Sequence, residues 1–162
     1  MKNQIKVLIG ILLLCVALTT GCAPKDTSNE LLAQVEKLVS YWNTGNFDEI
    51  EDVLCEDFEM RVTPLYEAEI GINVFMKNIK NTRKAYPDFE LSIDEAFFAE
   101  NACGGRWTVR ATSPDGKKLT LPGMSIFHFE EGKIKDEWIA NNDLNWLKQL
   151  DYTIQPPNSD SE

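Results

Sequence analysis

Apolar residues recur every three or four positions in the first half of the chain, which is the period of an amphipathic helix. One such run starts near Thr27, whose spacing to Glu30 matches a capping box, and ends at Gly45. A short run follows from Asn46, and a third covers about 71–86 before Pro87 stops it. The positions predicted to be buried are Leu31, Leu32, Val35, Leu38, Val39 and Trp42, then Phe47, Ile50, Val53 and Leu54, and then Ile72, Phe75, Met76, Ile79 and Tyr86.

After Asp88 the period of the pattern changes to two, which is typical of strands with one buried face. The four predicted strands cover 89–99, 105–112, 119–129 and 133–142. A last short helix is predicted at 144–150. Helices followed by consecutive hairpin-linked strands predict an α+β domain in which an antiparallel sheet curls over a helical layer.

The N-terminal segment has a different character. Lys2 and Lys6 precede an apolar run from Val7 to Leu18, which is shorter than the ~20 residues that span a bilayer and fits a secretory signal. The sequence LTTGC that follows resembles the lipobox of bacterial lipoproteins, with Thr19 where Leu is usual. The resemblance implies cleavage before Cys22 and acylation of its sulfur, so we expect an extracytoplasmic, membrane-anchored protein of the bacterial cell envelope.

These patterns divide the chain into four segments. Residues 1–21 form the expected signal, 22–28 a polar tether, 29–153 one folded domain and 154–162 a tail of Pro, Ser and acidic residues. Of the chain's 16 basic side chains, cleavage removes two lysines and leaves 14 against 26 acidic ones, a net charge of −12. Such a surface repels phosphate backbones and anionic headgroups. We therefore expect no nucleic-acid partner, and bilayer contact only through the acylated Cys22.

Cysteine and histidine usage limits metal chemistry. Only Cys55 and Cys103 remain in the domain, where an oxidising compartment would let them pair, and whether they do is left open. With a single histidine and no CxxC spacing, we expect no metal site.

The turn after Phe129 determines which side chains share a face of the sheet. A two-residue turn would put Glu131 at positive φ, so the sequence favours a three-residue loop over 130–132 that places His128 opposite Ile134. The side chains then grouped on the inner face are Met124, Ile126, His128, Ile134, Asp136, Trp138, Ala140 and Asn142. The opposite, outer face receives Ser125, Phe127, Phe129, Lys133, Lys135, Glu137, Ile139, Asn141 and Asp143.

Three polar side chains on an apolar concave face predict a small-ligand pocket. Asp136 would lie diagonal to His128 and orient its imidazole, and such a pair can transfer a proton near neutral pH. The alternative is that His128 is an ordinary core residue and that Asp136 reaches solvent at an open end of the sheet.

The segments YWNTGNFDEIEDVLCEDF, AYPDFEL, GMSIFHFEEGKIKDEW and LNWLKQL, in this order, resemble the SnoaL-like polyketide cyclases of the NTF2-like superfamily. The resemblance covers about 29–152. It implies a cone in which a long curved sheet wraps three helices around an apolar cavity. It also implies that a histidine at the position of His128 and an aspartate after the hairpin tryptophan act as acid and base, without metal or cofactor.

The aspartate position in that resemblance falls on Asn142, four residues after Trp138 and seven before Gln149. Asp143 is one residue late and would point away from the cavity, because a one-residue shift turns a side chain to the other face. An amide can hold a carbonyl oxygen but cannot abstract a proton from carbon, so catalysis would depend on His128 oriented by Asp136.

Further cavity candidates are Tyr41, Trp42, Arg61 and Trp107, beside Trp138, Ile126 and Met124. Core packing is the alternative for the aromatic residues, and a surface ion pair for Arg61. Three functions stay open at this point. They are binding of a small, largely apolar carbonyl compound, a cyclase, isomerase or hydratase using His128 and Asp136, and a homodimer or partner-docking module formed through an outer face with Phe127, Phe129 and Ile139.

Overall fold

The computed structural model describes residues 27–62, 67–153 and 155. The proposed signal, Cys22 and most of the tether and tail lie outside these residues. No helix in the described part is both long and apolar enough to cross a bilayer.

In the described residues, four helices and six strands form one layer of helices and one sheet, which is the α+β class that the sequence predicts. In chain order they are α1 (Ser28–Thr44), α2 (Ile50–Val53), β1 (Leu54–Val62), β2 (Glu69–Ile70), α3 (Ile72–Ala85), β3 (Glu90–Phe98), β4 (Ala102–Thr112), β5 (Lys118–Glu130), β6 (Lys133–Asn141) and α4 (Asp143–Gln149).

Helix α1 ends at the predicted residue but begins without the predicted side-chain cap. Gly45 ends α1 at φ 70°, a left-handed conformation that glycine adopts without strain, and its N–H donates to Tyr41 O at 2.9 Å. Thr27 is the N-cap, but its hydroxyl caps no backbone N–H and instead donates to Glu100 O at 3.5 Å, so the predicted capping box is wrong. The helix is held mainly by its apolar face, which buries Leu31, Val35 and Leu38.

The sheet has the order β2-β1-β6-β5-β4-β3 and is antiparallel except for the pair β1 and β6, which run parallel. Strand β1 was not predicted, because the acidic Glu56 and Asp57 and a register shift between Leu54 and Glu59 interrupt its alternation. In the sheet β1 lies between the two-residue edge strand β2 and β6.

The core lies between α1, α3 and the inner face of the sheet. Its most buried side chains are Phe58, Phe75, Leu38, Leu54, Ile79, Leu119, Ile134 and Val53. Phe58 and Phe75 meet edge to face at 5.3 Å, which ties β1 to α3. This packing fixes one side of the sheet as the interior and leaves the other side uncovered by helices.

Candidate functional site

The β5–β6 turn decides which residues enter the interior, and the predicted three-residue loop is wrong. Glu130 pairs with Lys133, so the turn has the two residues Glu131 and Gly132, with φ 51° and 81°. Positive φ at both central positions is the geometry of the hairpin turn that matches strand twist. The twist of the long β5–β6 pair therefore outweighs the local cost of a left-handed Glu131.

A bulge follows the turn. Phe129 pairs with Ile134, but His128 pairs with Asp136, so Lys135 is an extra residue on β6. Because of this bulge, Ile134 lies on the inner face with Phe129 and is 0% exposed, whereas Asp136 lies directly opposite His128 on the outer face.

The face assigned to the interior by the sequence is in fact the exterior. Met124, Ile126 and Trp138 are 55%, 50% and 40% exposed. Ser125, Phe127 and Glu137, which were expected outside, are all buried. The same correction moves Phe129 inside and puts the partly buried Ile139 on the wall of the cavity.

An apolar cavity of about 320 Å³ lies between α1, α3 and the inner face of the sheet. This volume is at the lower end of the range for small-molecule sites. Its wall includes Leu38, Trp42, Met60, Phe127, Ile139 and Trp146. Polar side chains on the wall are few, and the fully buried acid among them is Glu137.

Glu137 is reached by a chain of two hydrogen bonds from β4. The indole Nε1 of Trp107 donates to Ser125 Oγ at 2.9 Å, and Ser125 Oγ donates to Glu137 Oε1 at 2.8 Å. Trp107 lies over Gly123, where an added Cβ would sit 2.2 Å from the ring. A glycine at position 123 is thus what lets the indole lie flat across β5 and reach Ser125.

The second oxygen of Glu137 has no hydrogen-bond partner among the described residues. Burial raises the pKa of the Glu137 carboxyl from 4.5 to about 7, and the Ser125 hydrogen bond acts in the opposite direction. A carboxyl with this pKa exchanges its proton near neutral pH, which is the property of a general acid or base. Glu137 lines the cavity, and Oε2 is its buried oxygen without a hydrogen-bond partner among the described residues.

The predicted pair of His128 and Asp136 forms, but outside the cavity. His128 Nδ1 and Asp136 Oδ1 are 2.7 Å apart, and the imidazole side chain is 48% exposed. Nearby on the same outer face, the Arg61 guanidinium lies 5.2 Å from the Trp138 ring centroid and forms an ion pair with Glu59. Neither His128, Asp136, Arg61 nor Trp138 lines the cavity.

The remaining predicted site residues divide between wall, core and surface. Trp42 and Trp107 line the cavity, as expected. Tyr41 is a core residue whose hydroxyl donates to Asp48 O at 3.1 Å. Asn142 is exposed and caps α4, where its Oδ1 accepts from Asn145 N at 3.0 Å, so the amide does not occupy the cavity. Asp143 is in the first turn of α4 and is also exposed.

Glu137 and Ser125 were not predicted as functional residues because their face was assigned to solvent. The alternation of apolar and polar residues over the whole of β5 indicates which face is the interior. Its odd positions include Leu119, Leu121, Phe127 and Phe129, whereas its even positions include Lys118, Thr120, His128 and Glu130. Extending the alternation back to position 118 would have put the odd positions, and hence Glu137, inside.

The described residues contain no group of three or more His, Cys, Asp or Glu side chains placed to hold a metal ion. Cys55 and Cys103 are free thiols, with Cys103 on the cavity wall. Burial raises the pKa of the Cys103 thiol, which keeps it protonated and a poor nucleophile.

A curled sheet, a helical layer and an apolar cavity with a buried acid on its wall define this class of α+β domain, and comparison with known proteins gives the family. The profile of the SnoaL-like polyketide cyclases matches residues 33–150. The chain therefore belongs to the SnoaL-like polyketide cyclase family. No curated protein matches the chain.

Solved structures of other proteins have the same fold. A putative polyketide cyclase from Bacillus cereus is 23% identical, with 75% of this chain and 80% of that chain covered and a TM-score of 0.67. AclR, a putative hydroxylase from Streptomyces galilaeus, is 21% identical, with coverage of 80% and 90% and a TM-score of 0.66. A putative SnoaL-like polyketide cyclase from Jannaschia is 13% identical, with coverage of 85% and 100% and a TM-score of 0.70.

Proposed function

We propose that the domain binds a small, largely apolar molecule with a carbonyl or hydroxyl oxygen, and that Glu137 hydrogen-bonds this oxygen inside the cavity. The observation that carries the proposal is a buried carboxyl with one unpartnered oxygen on the wall of an apolar cavity of about 320 Å³. An unpaired buried polar group is costly, and a ligand oxygen would remove that cost. The ligand's apolar part would contact the apolar side chains of the cavity wall.

Binding is tested with acetylnaphthalene, an aromatic ketone, titrated into the full-length protein by fluorescence. Ile139→Trp fills the cavity wall and should weaken binding at least about tenfold, since the ligand loses its space. The matched control is Ile126→Trp, the same change on the outer face of the neighbouring strand, which should leave the affinity unchanged. Equal affinities for both variants, each shown to be folded by circular dichroism, would contradict the proposal.

A second candidate is a cofactor-independent enzyme of the cyclase, isomerase or hydratase kind. What favours it is the pKa of about 7 at Glu137, which suits proton transfer at neutral pH. Glu137 replaces His128 and Asp136 in this role, because those two side chains lie on the outer face. Deuterium exchange into the methyl group of acetylnaphthalene in D₂O should fall by about 10² or more in Glu137→Gln, and exchange that is independent of Glu137 would exclude this candidate.

A homodimer through the outer face is a further candidate, with different residues from those expected. The pairing register aligns Phe97, Gly104, Ile126 and Trp138 in one row across β3, β4, β5 and β6. Phe97, Ile126 and Trp138 are large, exposed and apolar. Ile126→Glu should dissociate such a dimer in sedimentation, whereas Val74→Glu on the exposed side of α3 should not. A monomeric wild type at high concentration would end this candidate.

We also propose that the domain is carried outside the cytoplasm on an acylated Cys22. The sequence LTTGC after an apolar run supports this location. Palmitate labelling that is sensitive to globomycin and lost in Cys22→Ala is the expected result. Labelling that survives the substitution, or a cytoplasmic wild type, would contradict it.

A further inference from the structure

We propose that Trp107 and Ser125 are positioning residues that keep the proton of Glu137 on Oε2, so that the cavity selects ligands presenting a hydrogen-bond acceptor such as a ketone oxygen. The inference rests on the proposed function, because it assigns the chemistry of the atom that Glu137 offers to a ligand.

The chain has only one possible direction at its first step. An indole N–H can donate but cannot accept, so the 2.9 Å contact makes Ser125 Oγ the acceptor. The hydroxyl hydrogen of Ser125 is then left for Glu137 Oε1, at 2.8 Å. Ser125 is 2% exposed, so bulk water does not offer an alternative acceptor.

The second step places the carboxyl proton. If the proton lay on Oε1, it would face the Ser125 hydrogen, and one buried hydroxyl hydrogen would lose its acceptor, which folded proteins avoid. With the proton on Oε2, Oε1 accepts from Ser125 and Oε2 donates. Oε2 is the oxygen without a hydrogen-bond partner among the described residues, and Glu137 lines the cavity, so we assign its O–H as the donor for a ligand oxygen that enters beside Glu137.

The position of the Trp107 ring depends on the adjacent strand β5. Gly123 gives its ring room, since an added Cβ would approach Trp107 Cη2 to 2.2 Å. Trp107 also lines the cavity, so one residue both shapes the wall and orients the proton.

The donor should disappear as Glu137 ionises. The other titratable or charged residues on the cavity wall are Cys103 on β4, Arg106 on β4 and Tyr86 after α3. The pKa of Glu137 is raised by burial and lowered by the Ser125 hydrogen bond, and no charged neighbour contributes to its shift. Preference for an acceptor should therefore decline as the pH rises through about 7.

The test compares acetylnaphthalene with isopropylnaphthalene, which has nearly the same shape and no acceptor, on the full-length protein. The ratio of their dissociation constants isolates the hydrogen bond. In the wild type the ketone should bind about fivefold more tightly at low pH, a gain typical of one hydrogen bond, and the ratio should approach unity in alkaline buffer.

Two variants each remove one hydrogen bond from the series that runs from Trp107 through Ser125 to Glu137. Trp107→Phe keeps a ring but lacks the N–H that fixes the orientation of the Ser125 hydroxyl. Ser125 can then rotate, Oε1 can hold the carboxyl proton, and the ratio at low pH should fall toward unity. Ser125→Ala should lower the ratio and move its pH midpoint upward, because the Ser125 hydrogen bond lowers the pKa of Glu137. Ser125→Thr keeps the hydroxyl and should restore both.

Glu137→Gln is the complementary variant. Its amide oxygen would accept from Ser125 and its NH₂ would take the place of Oε2–H, so the ketone preference should persist at every pH. This variant keeps the test informative even if Trp107→Phe fails to fold, as judged by circular dichroism.

The outcomes separate the two claims. If the wild type binds neither naphthalene, the proposed function fails and this inference with it. If the wild type prefers the ketone with the expected pH dependence, but Trp107→Phe and Ser125→Ala keep the same ratio and midpoint, only the positioning role is overturned. A Glu137→Gln variant that loses the preference would also overturn it.

Discussion

The two faces of the β5–β6 hairpin both carry large apolar residues but have opposite roles. On the inner face, Phe127 and Ile139 line a cavity beside a buried acid, Glu137, whose hydrogen-bond partner among the described residues is Ser125. On the outer face, Ile126 and Trp138 flank an acid, Asp136, that pairs with an exposed histidine. Helices α1 and α3 cover one face and not the other. Burial by the helical layer, rather than the residue types on the strand, therefore makes Glu137 the chemically unusual acid.

Adjacent residues of β5 should differ most in their contribution to stability. Phe127→Ala removes a ring that is 6% exposed and should lower the free energy of unfolding by about 3 kcal/mol. Ile126→Ala, at 50% exposure, should cost about 1 kcal/mol or less. Urea denaturation measures both. Similar losses for the two variants would contradict the assignment of the faces.

The buried acid should make stability depend on pH with a definite sign. The pKa of Glu137 is about 7 when folded and 4.5 when unfolded, so between these values the folded state holds the extra proton. Stability should therefore fall as pH rises across this window, by about 3 kcal/mol in total, and stay level above it. Denaturation of the wild type and Glu137→Gln across this range isolates the contribution, because the amide does not titrate.

That prediction has a matched control on the outer face. Asp136→Asn should leave the loss of stability between the same pH limits in place. If the free energy of unfolding had the same pH dependence in the wild type and in Glu137→Gln, the pKa of Glu137 would not be raised by folding.

Two strand glycines give a finer comparison of the faces. Each lies beneath an aromatic ring, and an added Cβ would come within 2.2 Å of Trp107 at Gly123 and of Phe97 at Gly104. Gly123→Ala should cost about 2 kcal/mol and disturb ligand binding, because Trp107 is fixed by Ser125. Gly104→Ala should cost about 0.5 kcal/mol or less, since the exposed Phe97 can move aside. Equal costs would show that the outer ring is as constrained as the inner one.

The smallest effect is expected at the only histidine. His128→Ala removes a half-exposed side chain and its hydrogen bond with Asp136, so the free energy of unfolding should change by less than about 0.5 kcal/mol. Affinity for acetylnaphthalene should not change, because His128 lies across the sheet from the cavity. Loss of binding in a folded His128→Ala protein would restore the histidine to the site.

The sequence predicted the fold class, the helices and the four C-terminal strands, because periods of 3.6 and 2 follow directly from backbone geometry. It did not predict β1, whose alternation is broken by Glu56, Asp57 and a register shift. It predicted that Met124, Ile126, His128, Asp136 and Trp138 share a face, which the strand register confirms, but it wrongly placed Ile134 with them. It chose the wrong face as the interior, because it weighed the apolar residues at 124, 126 and 138 and not the alternation over the whole of β5.

The site was harder to predict from the sequence than the fold, for a related reason. Trp42 and Trp107 were recognised as candidates because large aromatic side chains suit a cavity wall, and this argument does not depend on which face of the β5–β6 hairpin is the interior. Glu137 was assigned to solvent because the predicted register put it on the face opposite Met124, Ile126 and Trp138, which was taken as the interior. Its environment depends on Ser125 and Trp107, which come together only through the pairing of β4, β5 and β6.

The central claim is that Glu137 is a proton donor held in an apolar interior. The most direct measurement is an NMR titration of the glutamate side-chain carboxyl carbons in isotope-labelled protein, with Glu137→Gln used to assign the signal. The account predicts a midpoint of about 7 for this one carboxyl. A midpoint near 4.5, the value of an unperturbed glutamate, would contradict it.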